Sequence, residues 1–419
     1  MAHINHTRTL RQARRMSVQD VFHGQNTNAS FGAFCGAKAQ RDAIGLSAME
    51  PCCGQKGIVF IHNDPLLEGQ LGRIYDRNPL LRRLPAQFQM YLSHHNGAFY
   101  YDPLYGLSAS ATLDAICPLV SEDGFRSETH ALRSALSDYL EIMAFHFQKN
   151  SAPFGAYPYN LDLLLELTQM PYSDLERTVL RYLPTPLRTQ LTGCLSQSGQ
   201  QQLVFHAVRA FAQTMEACLW TRRGFAHHSR LSLTQAVRER SFISIYVPGS
   251  RGEILEYLAV ELQGLNNQNI PYLLVTSGIH LPNSPRFQAL FLQEHSDLAY
   301  STGILAEDLS TVVRTDGTDG TLAALFGQLQ ELLVFSCSST LAAAPFSTGI
   351  GQYYRQVTEW HTDTRREPFQ FFASHGYGNA QREVQQAIID PEELTRLSTG
   401  CLLYGKHHPT PVLVHHFSL

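Results

Sequence analysis

Residues 31–40 read FGAFCGAKAQ, and the fold turns on how this stretch is read. A loop that cradles phosphate follows the pattern GxxxxGK[ST]. Its glycines let backbone N–H groups approach the phosphate, its lysine reaches the β/γ oxygens, and its hydroxyl holds magnesium. Gly32 fits the first glycine, Lys38 fits the lysine, and Gly36 lies between them. Ala37 stands where the second glycine belongs and Ala39 where the hydroxyl belongs. Taken alone, the stretch reads as a small-residue loop with a solvated lysine.

Downstream, residues 57–62, GIVFIH, form an apolar, β-branched run after a glycine, the pattern of a buried strand. FYYDPLYG (99–106) reads as a strand end entering a turn. Helical periodicity then takes over. Leu132, Leu136, Tyr139, Leu140, Met143 and Phe147 recur at helical spacing within 126–147. Helices are also expected at 160–170, 173–183 and 201–220. The second of these is expected to open with a Ser173–Glu176 capping box, and Pro184 and Pro186 to break it. Residues of about 125–230 thus read as an all-helical block.

Strands return at FISIYVP (242–248), followed by a helix over 253–268. PYLLVTSGIHLP (271–282) is a short apolar strand that stops on two hydroxyls, Thr276 and Ser277. Further strands are expected at 297–303, 332–339 and 411–417, and a surface loop at 314–321. Apolar strands alternating with helices, on both sides of a helical block, indicate an α/β domain with an all-α insertion. The expected segments are a basic tail (1–20), a first α/β part (21–124), the inserted all-α domain (125–238) and a second α/β part (239–419).

Composition narrows the function. The chain has 419 residues, enough for two or three domains at roughly 100–200 residues each. With 44% hydrophobic and 16% charged residues it can bury a large core. A formal charge of −4 excludes a globally basic nucleic-acid binder, so nucleic acid as a partner is permitted but unsupported. No run of about 18 apolar residues would span a membrane. Arg8, Arg11, Arg14 and Arg15 make the N-terminus a solvated tail or a basic arm. The eight cysteines are scattered without a CxxC pair and read as reduced thiols, and no histidine doublet has zinc-site spacing.

The order of these segments resembles the type IV secretion and conjugation coupling proteins, the TraG/TraD and DotL-type relatives within the FtsK/HerA-like P-loop ATPases. Asp102-Pro103-Leu104 is similar to the family's turn after the first core strand, and Ile243 to Pro248 to its strand after the inserted domain. Asp390-Pro391-Glu392-Glu393-Leu394, with Leu397, Gly400, Leu402 and Leu403, is similar to its ending. The resemblance covers roughly residues 28–417. It implies a P-loop NTPase-like, RecA/FtsK-type twisted sheet with helices on both faces, plus an inserted all-α domain.

Against that family the phosphate loop lacks its second glycine and hydroxyl. Thr276 and Ser277 replace the two carboxylates of the acidic strand. His62, Asn63 and Asp64 replace an Asp-x-Lys. Thr302 and Gly303 stand at a nucleotide-sensing glutamine, and Glu294 and His295 in an arginine-bearing segment. Phosphoryl transfer depends on positioning and on neutralising developing charge. The resemblance therefore implies a degenerate nucleotide site at Gly32, Gly36, Lys38, Thr276 and Ser277, with no catalytic residue, no metal and no cofactor. The alternative is a working ATPase motor using ATP and magnesium, with nucleotide binding without hydrolysis as the intermediate case.

The family begins with membrane helices, and only a short polar segment precedes the loop here. The expectation is a soluble, cytoplasmic relative, held peripherally at the inner membrane through partners. Those partners would be other secretion or conjugation components, namely an active coupling ATPase, an effector or a relaxosome protein, or a second copy as a homo-oligomer. Residues 126–230 are the candidate interaction face, with Arg222, Arg223 and Arg230 near its end. A hydrolase of unrelated fold finds no GxSxG or HExxH, and Cys337 in FSCSS reads as a buried structural thiol.

Overall fold

The computed structural model describes residues 14–17, 21–22, 29–64, 66–67, 89–91, 100–101, 103–104, 107–117, 126–150, 161–186, 188–189, 198–218, 230–231, 233–247, 249, 252–293, 299–313, 320–365, 374–397 and 400–415. The strands are β1 (Arg14–Ser17), β2 (Phe31–Phe34), β3 (Gly57–His62), β4 (Gln89–Tyr91), β5 (Tyr100–Tyr101), β6 (Arg230–Leu231), β7 (Phe242–Tyr246), β8 (Tyr272–Ser277), β9 (Ser301–Ala306), β10 (Glu331–Val334), β11 (Gln352–Arg365), β12 (Ser374–Ala387), β13 (Cys401–Gly405) and β14 (Val412–His415). Among the described residues, ten of them form one sheet in the order β1-β14-β13-β10-β2-β9-β8-β3-β7-β4.

From β10 to β4 every neighbouring pair is parallel. A parallel sheet is covered on its faces, so its strands read as continuous apolar runs. β3, β8 and β9 are buried at every position. β13 and β14 turn back antiparallel, and β1 closes the edge parallel to β14. Arg14–Ser17 is therefore edge strand rather than free tail. Residues 1–13, with Arg8 and Arg11, lie outside the described residues.

The helices that matter for the site and its frame are α1 (Lys38–Met49), α2 (Arg126–Asn150), α3 (Leu161–Gln169), α4 (Tyr172–Thr178), α5 (Ser198–Cys218), α6 (Gly252–Asn267), α7 (Thr340–Ile350) and α8 (Pro391–Thr395). Helices α2 to α5 form a helical block that lies between β5 and β6 in the chain. The chain enters and leaves that block at one place, because β5 pairs in parallel with β6. The block shares its core with the sheet: Phe211 of α5 meets Tyr257 of α6 edge-on at 5.6 Å, and the Tyr257 hydroxyl donates to the Pro103 carbonyl at 2.7 Å.

Several local expectations are corrected. FGAF is a strand hydrogen-bonded on both sides, so Gly32 lies in β2 and not in a loop. Pro171, not Ser173, precedes the first turn of α4; a proline with extended ψ starts the helix, and Ser173 sits inside it. That helix ends at Thr178, followed by a 3-10 turn over Leu180–Tyr182. The strands expected at 297–303 and 332–339 are β9 and β10, shifted to Ser301–Ala306 and shortened to Glu331–Val334.

The long hairpin β11–β12 was not foreseen. Its fourteen-residue arms pair with each other outside the main sheet. Near the C-terminus, Asp390 caps α8, its Oδ1 accepting from the Glu392 N–H at 3.1 Å with Pro391 at the first helical position.

Candidate functional site

Ligands of open parallel sheets bind beyond the C-terminal ends of the strands. Register brings Val334, Phe34 and Ala306 to one level, beside Leu305, Ser277 and His62. At this edge β2 passes through Cys35-Gly36-Ala37 into α1. Cys35 and Gly36 have φ of 64° and 65°. An anion-binding nest alternates right- and left-handed residues, and two left-handed residues in succession do not make that alternation. Glycine is required at 36: a Cβ there would stand 2.6 Å from Cβ of Phe335.

The backbone of this turn is engaged from within. The Cys35 N–H donates to the Ala306 carbonyl at 3.1 Å, and the Ala37 N–H to Gln40 Oε1 at 3.1 Å. Arg41, buried under the turn, donates from Nη1 to the carbonyls of Cys35 at 2.8 Å and Gly36 at 2.6 Å. Burial lowers the Arg41 guanidinium from its ordinary value, with Glu307 and Asp42 opposing the shift.

Lys38, at the first position of α1, lies between two carboxylates. Its Nζ is 2.7 Å from Asp42 Oδ2 and 2.9 Å from Asp64 Oδ2. Asp42 follows one helical turn after Lys38, the spacing at which helix side chains meet. The Ser277 hydroxyl, at the end of β8, donates to Asp42 Oδ1 at 2.7 Å. Asp64 also accepts from the Leu66 N–H at 2.9 Å. Burial acts to raise the Asp64 carboxyl, but the Lys38 and Leu66 hydrogen bonds outweigh it and hold the group below its ordinary value.

Beside them His62 is fully buried, its Nε2 2.9 Å from the Ser244 hydroxyl, and burial pushes its pKa down to about 4. Glu307 acts on Arg41, and Asp308 on Cys35. Two cations here face four carboxylates, an unfavourable balance for a polyphosphate. An incoming phosphate would have to displace both carboxylates from Lys38.

Of the residues singled out in the sequence, Lys38 and Ser277 come together through Asp42, and Gly36 forms the turn beside them. Thr276 is buried in β8, and strand alternation puts it on the opposite face from Ser277. Gly32 belongs to the strand below the turn. Thr302 and Gly303 are buried in β9, while Glu294, His295, Arg222 and Arg223 lie outside the described residues. Asp42, Gln40 and Arg41 were not anticipated; the Lys38–Asp42 spacing in KAQRD was the signal that could have found the first. Among the described residues no group of three or more His, Cys, Asp or Glu side chains converges as a metal site, and no helix is long and apolar enough to cross a membrane.

No family model matches the sequence, and no curated protein matches it. The fold has solved counterparts. One is the bacterial conjugative coupling protein TrwBdeltaN70 in an unbound monoclinic form, 9% identical, with a TM-score of 0.51 over 97% of this chain and 94% of that one. A second is the trigonal form of the same protein in complex with sulphate, 10% identical, with a TM-score of 0.52 over 97% of this chain and 93% of that one. At this identity the likeness establishes the fold: α/β and P-loop NTPase-like, as the order of segments in the sequence implied.

Proposed function

We propose that this chain is a coupling-protein-like component of a conjugation or type IV secretion machine that acts by binding and has lost phosphoryl transfer. The observation that carries this reading is the engagement of Lys38. The side chain that should meet phosphate is instead held by Asp42 and Asp64, with Ser277 bonded to Asp42. Phosphoryl transfer needs fixed cations and a magnesium site around the β/γ oxygens. Here the Cys35 and Ala37 amides and the Cys35 and Gly36 carbonyls have internal partners, and acidic groups outnumber basic ones.

In this role the α/β parts, 21–124 and 239–419, serve as scaffold, and residues 126–230 of the helical block are the face offered to partners. Those partners are an active coupling ATPase, an effector or relaxosome protein, or a second copy of the chain. They would hold it at the cytoplasmic face of the inner membrane.

A working ATPase is the second reading, and one observation favours it. Asp42 and Asp64 bring two carboxylates to the strand ends, where magnesium would sit if Lys38 moved to a phosphate. Titration of fluorescent ATP and ADP, with and without magnesium, separates the two on wild type and Lys38→Ala. The expected result is no magnesium-dependent binding and no turnover in either protein. Magnesium-dependent turnover in wild type, lost in Lys38→Ala, would overturn the scaffold reading.

A further inference from the structure

Cys35 and Cys337 are separated by 302 positions in the chain, yet their sulfurs lie 3.6 Å apart in the core. Parallel pairing of β2 with β10 places Phe34 opposite Val334, and the Phe335 N–H donates to the Phe34 carbonyl at 2.9 Å. The two strands therefore leave the sheet side by side, and each is followed by a cysteine whose sulfur meets the other. Cys35 adopts a left-handed φ of 64° to do so, a conformation few residues other than glycine hold. Cys337 is fastened on its far side, its N–H donating to the Leu394 carbonyl at 3.1 Å.

We infer that Cys35 and Cys337 are a redox pair that closes to a disulfide and locks the β2–α1 turn to the segment between β10 and α7. The sulfurs need only approach from 3.6 Å to about 2.05 Å to form the bond. The oxidant is a low-molecular-weight disulfide. The Cys337 thiolate attacks one of its sulfurs, forming a mixed disulfide and releasing one small thiolate. The Cys35 thiolate then attacks the Cys337 sulfur and releases the second. Two protein thiols lose two protons and two electrons, and one small disulfide becomes two small thiols. The two roles are interchangeable, because either sulfur can be the donor in the contact between them.

Burial sets the rate, since a buried thiol reacts only when its cover opens. Both thiols are buried, and the Arg41 guanidinium fastens the turn that carries Cys35 by two of its carbonyls. The closed disulfide would fix this turn in place and slow amide exchange at 36–38. Its formation is independent of whether the adjacent site binds nucleotide.

The test is to incubate the folded protein with excess oxidised glutathione, quench by alkylation, and map the peptides by mass spectrometry. The expected result is loss of two hydrogens from the intact mass and one cross-linked peptide pair containing Cys35 and Cys337. Dithiothreitol should reverse both, and the oxidised form should unfold at higher denaturant than the reduced one. Cys35→Ser and Cys337→Ser should each keep the reduced intact mass or carry one glutathione. The wild-type peptide map decides the matter even if a variant fails to fold. A stable glutathione adduct on Cys337 without the cross-link would overturn the pair, as would a cross-link that forms only in denaturant.

Discussion

The two edges of the parallel sheet are both closed by polar side chains, but by different means. At the edge where the strands begin, Glu331 is fully buried and accepts from the His407 N–H at 3.0 Å, with His408 Nδ1 at 3.1 Å from its other oxygen. There too the buried Lys56 donates to Ser301 at 2.8 Å, and the Thr302 N–H donates to the Ser30 hydroxyl at 3.1 Å. At the edge where the strands end, Lys38 and Asp64 remain 35% and 27% exposed. The first edge is closed around Glu331 and Lys56, both of which are buried. The second is a closure that water, salt or a competing ion can reach. There Lys38 is neutralised from within by Asp42 and Asp64, while the strands beneath are apolar.

The contrast is broken most severely at Gly36. Gly36→Val forces a β-branched residue into a left-handed φ and drives its Cβ into Phe335. Strain and overpacking together are expected to remove roughly 3–5 kcal/mol, read as a lower urea midpoint. At the opposite edge, Glu331→Ala removes the carboxylate that accepts from the His407 N–H and lies beside the His408 ring. Loss of a buried acceptor of this kind is expected to cost about 3–4 kcal/mol by the same measurement.

His62 gives a pH test. Its folded pKa of about 4 lies below the ordinary 6.5, so the unfolded chain binds more protons between these values. The stability contributed by neutral His62 is complete above the ordinary value and falls as pH drops towards 4. About 3 kcal/mol should be lost across that window, and His62→Gln should flatten the curve.

Lys38→Ala leaves Asp42 buried with Ser277 as its hydrogen-bond donor, and is expected to cost about 1–2 kcal/mol. Adding Asp42→Asn should recover part of that loss in a double-mutant cycle. Asp64→Asn is the mildest change, under about 1 kcal/mol and smaller still in high salt. The stability due to Asp64 is present above its ordinary pKa of 3.8 and is lost as pH falls through its lowered folded value.

The sequence made the central strands legible because β3, β7 and β8 are β-branched, apolar runs with clear breaks. It concealed β2, because FGAF is four residues long, contains a glycine and runs into a turn that mimics a loop motif. It concealed the β11–β12 hairpin, whose arms carry Arg355, Glu359, Asp363 and Arg382 instead of an apolar alternation. Ser173 had the spacing of a cap, but proline geometry at Pro171 started the helix earlier. Lys38 and Ser277 were identified from motif position alone. Their shared partner Asp42 depended on packing α1 against the end of β8, a contact between residues 235 positions apart. Motif spacing carries no information about such a contact.

The pairing of β1 with β14 has a mechanical consequence. The two strands run parallel in register from Arg14 opposite Val412 to Ser17 opposite His415. Tension applied at the beginning of β1 and at the end of β14 would pull the two strands in opposite directions along their length. The hydrogen bonds between them would be loaded in shear, all at once, instead of being unzipped one after another. The sheet edge is thus built as a clamp, stiffest along the line that joins Arg14 to His415.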